Sequence, residues 1–142
     1  MERMEQVNLH LQEKYKRVQK EVRFESIFTN DAEILLVAYG LGARICQKVV
    51  ELGREKDIRI GLLRPITLYP FPKDEIAKLA SKVQYVLVVE MNAGQMVEDV
   101  ALAVNGQCPV SSTGRMGGMI ASPEEVLQKV ETILAQQPIM SK

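Results

Sequence analysis

The residues with types and spacing suited to chemistry are concentrated in one stretch, Val86-Leu-Val-Val-Glu90-Met-Asn92-Ala-Gly94-Gln95-Met96. A buried-strand run ends there in an acidic, amide-rich turn and opens into a helix. In an open α/β sheet such a turn lies at the carboxyl edge of the strands, where ligands and partner surfaces bind. Glu90 follows four apolar residues, so its carboxylate needs a partner on folding. Arg64, at the end of the preceding strand, is the natural candidate for a salt bridge. A contact from Glu90 to a ligand or another subunit is the alternative. Asn92 and Gln95 have the spacing of a capping box, with Asn92 as cap and Gln95 three residues on. They either satisfy the first amides of the helix or line a polar pocket with Glu90 and Gly94.

Two further segments carry weaker signals. Tyr39-Gly40-Leu41-Gly42-Ala43 holds part of a glycine-rich phosphate loop, but the third glycine and the later ribose-binding acid are missing. It reads as a plain strand-to-helix turn or as an anion cradle. Arg115-Met116-Gly117-Gly118-Met119 combines a cation, two adaptable methionines and a Gly-Gly pair that allows close backbone approach. It is either a surface loop before the last helix or a contact with another domain.

The remaining chemistry is sparse. His10 is the one histidine and sits in a charged helical stretch; Cys46 and Cys108 form neither a CxxC pair nor a metal-ligand spacing. A zinc site or a Ser/His/Asp triad is therefore not expected. Lys plus Arg equals Asp plus Glu at 18 each, giving no electrostatic reason to expect nucleic acid or an anionic membrane as partner. No apolar run approaches the roughly 20 residues of a membrane span, and the charged N-terminus lacks secretory character. The chain is expected to be soluble and cytoplasmic.

The elements that must position these residues alternate. From Met4 to Val22, apolar residues Met4, Val7, Leu11, Tyr15, Val18 and Val22 recur every three or four positions, the stripe of an amphipathic helix. Residues 1–30 read as an arm whose stripe covers this domain or a neighbour. Residues 31–142 read as one α/β domain. Its strands are Ile34–Tyr39, Ile58–Leu63, Tyr85–Glu90 and Pro109–Ser112, and Val22–Phe24 could add an edge strand. Its helices run from Gly42 to Lys56, from Pro72 at the first position to about Ser81, from the Asn92 turn to Asn105-Gly106, and from Ser122-Pro123-Glu124-Glu125 to Pro138. Strand–helix alternation with short crossovers implies a mainly parallel sheet in three layers, α/β/α.

Four segments in this order resemble a known family: Asp31-Ala-Glu-Ile-Leu-Leu-Val-Ala-Tyr-Gly40, Gly61-Leu-Leu-Arg-Pro-Ile-Thr-Leu-Tyr-Pro-Phe-Pro72, Glu90-Met-Asn-Ala-Gly-Gln-Met96 and Gly114-Arg-Met-Gly-Gly118. Together they are similar to the C-terminal part of the α subunit of 2-oxoacid:ferredoxin oxidoreductases, of the 2-oxoisovalerate and 2-oxoglutarate types. The resemblance implies a transketolase C-terminal-like domain with five strands, one edge strand antiparallel to the rest. It also implies a parent enzyme that decarboxylates a 2-oxoacid on thiamine diphosphate with magnesium. That enzyme passes electrons through iron–sulfur clusters to ferredoxin and forms an acyl-CoA.

Departures from the whole subunit are equally informative. The glutamate that activates thiamine, the GDG…N segment that holds magnesium and diphosphate, and every cluster cysteine motif are missing from these residues. The expected role is therefore assembly without a cofactor site of its own, with an upstream thiamine domain and other subunits as partners and a homodimer as a further option. Arg64, Glu90, Asn92, Gly94, Gln95 and Arg115 are the expected interface or ligand residues. The rival is a free-standing nucleotide- or CoA-binding module that uses the Tyr39–Ala43 turn and the Gln95 helix start as anion cradles.

Overall fold

A computed structural model describes residues 2–137. Helix α1 (Glu2–Val18) passes through a 3₁₀ turn (Gln19–Glu21) into strand β1 (Phe24–Ile27). Then follow β2 (Ile34–Val37), α2 (Gly40–Glu55), β3 (Ile60–Pro65), α3 (Lys73–Ala80), β4 (Tyr85–Val89), α4 (Met96–Val104), β5 (Val110–Thr113) and α5 (Pro123–Gln136). The sheet order is β1-β3-β2-β4-β5; β1 runs antiparallel to β3 and every other pair is parallel. The five-stranded sheet with one antiparallel edge matches the expected architecture. β1 falls inside the stretch read as an arm, so the sheet takes its edge strand from before residue 31.

The two-residue side-chain period divides the strands between two cores. Ile34, Leu36, Ile60, Leu62, Leu87 and Val89 face the layer of α2 and α5. Leu35, Val37, Leu63, Val86 and Val88 face the layer of α3 and α4. Runs such as Ile34-Leu-Leu-Val37 are apolar throughout because both faces are covered, as expected of inner parallel strands. At Gly61 a Cβ would lie 2.8 Å from both the Ala32 Cβ and the Phe28 carbonyl oxygen, so only glycine lets that loop close over β3.

Helix boundaries differ from expectation where local chemistry is ambiguous. α2 starts at Gly40, two residues early, because Gly40 itself takes a left-handed φ of 56° and turns the chain. Pro72 is the cap of α3 instead of its first residue. α4 stops at Asn105 in the left-handed conformation, followed by Gly106, as the sequence predicts. α5 has the full capping box: Ser122 Oγ accepts from the Glu125 N–H at 3.2 Å, and Glu125 Oε2 accepts from the Ser122 N–H at 3.2 Å. Its expected stop at Pro138 lies outside the described residues. Helix α1 buries no residue on the sheet domain; Met4 is 72% exposed. Tyr15 meets Tyr69 edge to face, ring centroids 6.5 Å apart. From Met4 to Tyr15 the stripe is left exposed, and only its end, Val18 and Val22, is half-buried against the domain.

Candidate functional site

Consecutive parallel strands leave β2 in opposite directions, toward β3 on one side and β4 on the other. The gap between the carboxyl ends of β2 and β4 is thus the topological switch point, where α/β sheets open a crevice. Here that crevice is about 210 Å³, lined by Tyr39, Gly40, Leu41 and Gly42 after β2 and by Glu90, Met91 and Asn92 after β4. Gly42 lets α2 start against the sheet, since a Cβ would sit 3.2 Å from the Val89 carbonyl oxygen. A second crevice of about 220 Å³ lies on the other side of Glu90, between Asn92–Gly94 and Ser112–Gly114, with Met116 at its rim.

Glu90 divides the two crevices and is only 3% exposed. Its carboxylate does not meet Arg64. Oε1 accepts from the Met96 N–H at 2.5 Å and Oε2 from the Val97 N–H at 3.0 Å, so Glu90 caps α4 from six residues upstream. The reason is distance along the chain: the turn folds back and brings the free amides of the helix onto the strand end. These amides carry partial positive charge, which a carboxylate offsets well. Arg64 instead donates from Nη1 to Glu25 Oε2 at 3.3 Å, because Glu25 and Arg64 are paired across the antiparallel β1–β3 ladder.

The predicted capping box at α4 is likewise corrected. Asn92 Oδ1 accepts from the Gly94 N–H at 2.9 Å and the Gln95 N–H at 3.1 Å, which closes the turn but caps no helical amide beyond it. Gln95 sits in helical conformation just before α4 and its side chain makes no cap bond. Gly94 supports the turn with a φ of 96°. Gly114 presses the loop after β5 onto this site: a Cβ there would lie 1.6 Å from the Glu90 carbonyl oxygen. Arg115 turns away toward α5, where its guanidinium pairs with Glu125, Nε reaching Oε2 at 3.2 Å. That pairing holds the Glu125 carboxyl below its ordinary range.

The structure thus brings Glu90, Asn92, Gly94 and Gln95 together and leaves Arg64 and Arg115 engaged elsewhere. The Glu90 carboxylate and the Asn92 side-chain oxygen are both used within the chain, whereas the Gln95 side chain stays exposed. The α4 start is filled by a carboxylate, so it has no room for a phosphate, and the rival reading loses one of its two anion cradles. The same edge also leaves large apolar side chains exposed: Leu41 after β2, Ile66, Leu68 and Tyr69 after β3, and Met116, Met119 and Ile120 after β5. Sequence reading points to the two methionines as contact residues and gives Leu41, Ile66, Leu68, Tyr69 and Ile120 no such role. Their signal was available in Ile66-Thr-Leu-Tyr69, large apolar residues in a proline-rich connection too irregular to be a strand.

Known proteins share both sequence and fold with this chain. Residues 32–126 match the family described as pyruvate:ferredoxin oxidoreductase core domain II. The chain belongs to this family. It is 44% identical over 131 residues to the ketoisovalerate oxidoreductase subunit VorB of Methanothermobacter thermautotrophicus, covering 92% of this chain and 37% of that subunit. The chain therefore spans well under half the length of this relative. Among solved structures, a 2-oxoglutarate:ferredoxin oxidoreductase from Magnetococcus marinus superposes with a TM-score of 0.68 at 16% identity, over 78% of this chain and 19% of that one. A split-gene transketolase superposes with a TM-score of 0.67 at 14% identity, over 82% and 42%. The core domain II fold is thus shared with transketolase, as the sequence motifs implied. Among the described residues no helix is long and apolar enough to cross a membrane.

Proposed function

We propose that this core domain II is the assembly domain of a VorB-type subunit in a cytoplasmic 2-oxoacid:ferredoxin oxidoreductase. It orients the catalytic domains and does not carry the reaction. The observation behind this reading is the carboxyl edge, where Glu90, Asn92 and Arg115 are engaged within the chain and large apolar side chains stay exposed. An edge built that way suits a protein surface better than a small polar ligand, which needs convergent polar groups to fix its orientation.

The chemistry of the whole enzyme is decarboxylation on thiamine diphosphate with magnesium, electron transfer through iron–sulfur clusters to ferredoxin, and acyl capture by CoA. The residues present do not fit these groups. A cluster needs four thiolates where this chain has two cysteines. Cys46 is buried with its thiol pushed up to about 12, far from a thiolate ligand. The α4 amides that could face a diphosphate already bind Glu90. The partners on this reading are the thiamine-binding part of the subunit and the other subunits, with ferredoxin reached through the complex. Glu90, Asn92, Gly94 and Gln95 shape the edge from within. Arg64 and Arg115, each in one exposed ion pair, can exchange that partner for a carboxylate of the neighbouring surface.

The purified chain, supplied with thiamine diphosphate, magnesium, CoA, a branched 2-oxoacid and an electron acceptor, is expected to give no turnover. CoA is expected to raise its melting temperature by less than about one degree, since a ligand that does not bind the native state does not stabilise it. Measurable oxidative decarboxylation would overturn the reading, and stabilisation by several degrees with CoA or ATP would favour a free-standing binding module.

A further inference from the structure

We infer that α1 is a docking helix, and that the surface receiving it is an apolar groove with carboxylates along one wall only, on the part of the VorB-type subunit this chain does not span. The inference rests on the assembly reading and names a second contact within it. Met4, Val7, Leu11 and Tyr15 are exposed at the spacing by which helices anchor in grooves. No residue of α1 is buried, and a lone helix of this length is marginal in water. Its stripe is too narrow to reach the roughly 800 Å² per partner of a standard interface alone. The Tyr15–Tyr69 contact joins it to the exposed Leu68–Tyr69 loop, so one partner can cover both.

Charge fixes the chemistry of the groove. At helical spacing Arg3, Lys14 and Arg17 fall along one border of the stripe, with His10 between them. The other border carries Asn8 and Gln12, and the back carries the acids Glu2, Glu5 and Glu13 with one cation, Lys16, and the exposed Leu9. None of these charged side chains makes an ion pair among the described residues. One cationic border calls for one acidic wall. An anionic membrane is a poorer match, since membrane-surface helices spread Lys and Arg over the polar face, which here holds three acids against the single Lys16. A second copy is also poorer. Antiparallel pairing sets the cationic border against itself, parallel pairing sets it against Asn8 and Gln12, and neither supplies a carboxylate.

The test replaces the 131 matched residues of the M. thermautotrophicus VorB subunit with this chain and follows amide exchange in α1. Exchange over Leu9–Val18 is expected to be at least about tenfold slower in the chimera than in the free chain. The triple variant Arg3→Glu, Lys14→Glu, Arg17→Glu is expected to abolish that protection, whereas Glu5→Lys with Glu13→Lys is expected to keep it. Unchanged exchange, or equal sensitivity to both sets, would overturn the inference. So would equal protection of the free chain by phosphatidylglycerol vesicles, or concentration-dependent protection of the free chain alone. Protection of the carboxyl-edge loops without α1 would overturn the inference and leave the assembly reading standing; protection of neither would overturn both. Should the chimera not fold, the same measurement is made on the native VorB subunit over its residues aligned with α1, with the same two outcomes.

Discussion

The two ends of one sheet are built on opposite terms. At the amino edge, charged side chains tie the loops to the body. Arg54 grips Asp31 with both terminal nitrogens, at 2.7 and 2.9 Å, and donates to the carbonyls of Phe28 at 3.0 Å and Ile60 at 3.1 Å. Arg59 pairs with Glu33, and Lys56 with Glu131 at 2.9 Å. In the loop between β1 and β2 the exposed Phe28 ring lies under the Arg54 guanidinium, 4.7 Å from the ring centre. At the carboxyl edge, polar groups turn inward to shape the loops, and apolar side chains from three connections face out. Scattered exposed apolar residues are ordinary, and it is their concentration on one edge that supports the proposed assembly role. The amino edge covers its exposed aromatic ring within the chain, and the carboxyl edge leaves its apolar side chains uncovered.

Breaking the internal scaffold of the carboxyl edge should have the largest effect. Gly114→Ala drives a methyl into the Glu90 carbonyl at a φ of 154°. It is expected to cost about 3 kcal/mol in urea unfolding, or to displace the loop by an equivalent strain. Glu90→Ala strips two amides of α4 of their acceptor and should cost about 2 kcal/mol, with Glu90→Gln losing roughly half as much. A cost below a few tenths for Glu90→Ala would mean the carboxylate is not the cap.

The amino edge is sharpened by Arg54→Ala, expected to cost about 1–2 kcal/mol through lost hydrogen bonds to Asp31, Phe28 and Ile60. Its pH dependence carries a defined sign. The Arg54 guanidinium holds the Asp31 carboxyl below its ordinary value of 3.8. That contribution is complete above the unfolded carboxyl value and is lost as pH falls through the depressed folded one. The stability gap between wild type and Arg54→Ala should therefore be flat from about pH 5 to 8 and narrow below about pH 4. Glu125, lowered by Arg115, adds a loss of the same sign in the same acid window at the other edge. Last in size, Leu68→Ser with Tyr69→Ser should change the stability of the free chain by less than about 0.5 kcal/mol, as exposed positions do.

The layers and sheet order were legible because burial on both faces forces continuous apolar strands, as in Ile34-Leu-Leu-Val37, and because β2, β3, β4 and β5 alternate with helices. The family motifs led to the same fold. The direction of β1 came from the resemblance alone, since Phe24–Ile27 is a mostly exposed edge strand with no buried pattern to read. At the site, the sequence located the Glu90–Gln95 turn but assigned its partners wrongly. A side chain seen in sequence suggests another side chain as partner, and Arg64, at the end of the preceding strand, was the natural candidate. Glu90 found backbone amides, which every sequence offers and none advertises. Arg64 answered to Glu25, a pairing visible only once the β1–β3 register is known.

The contrast between the two edges is tested most directly by amide exchange in the chimera of this chain with the remainder of the VorB subunit, compared with the free chain. Slowed exchange is expected at Leu41–Gly42, Ile66–Tyr69 and Met116–Ile120, with unchanged exchange in the amino-edge connections at 29–33, 56–59, 81–84 and 105–109. Protection of the amino-edge connections, with the carboxyl-edge loops exchanging as fast as in the free chain, would contradict that contrast.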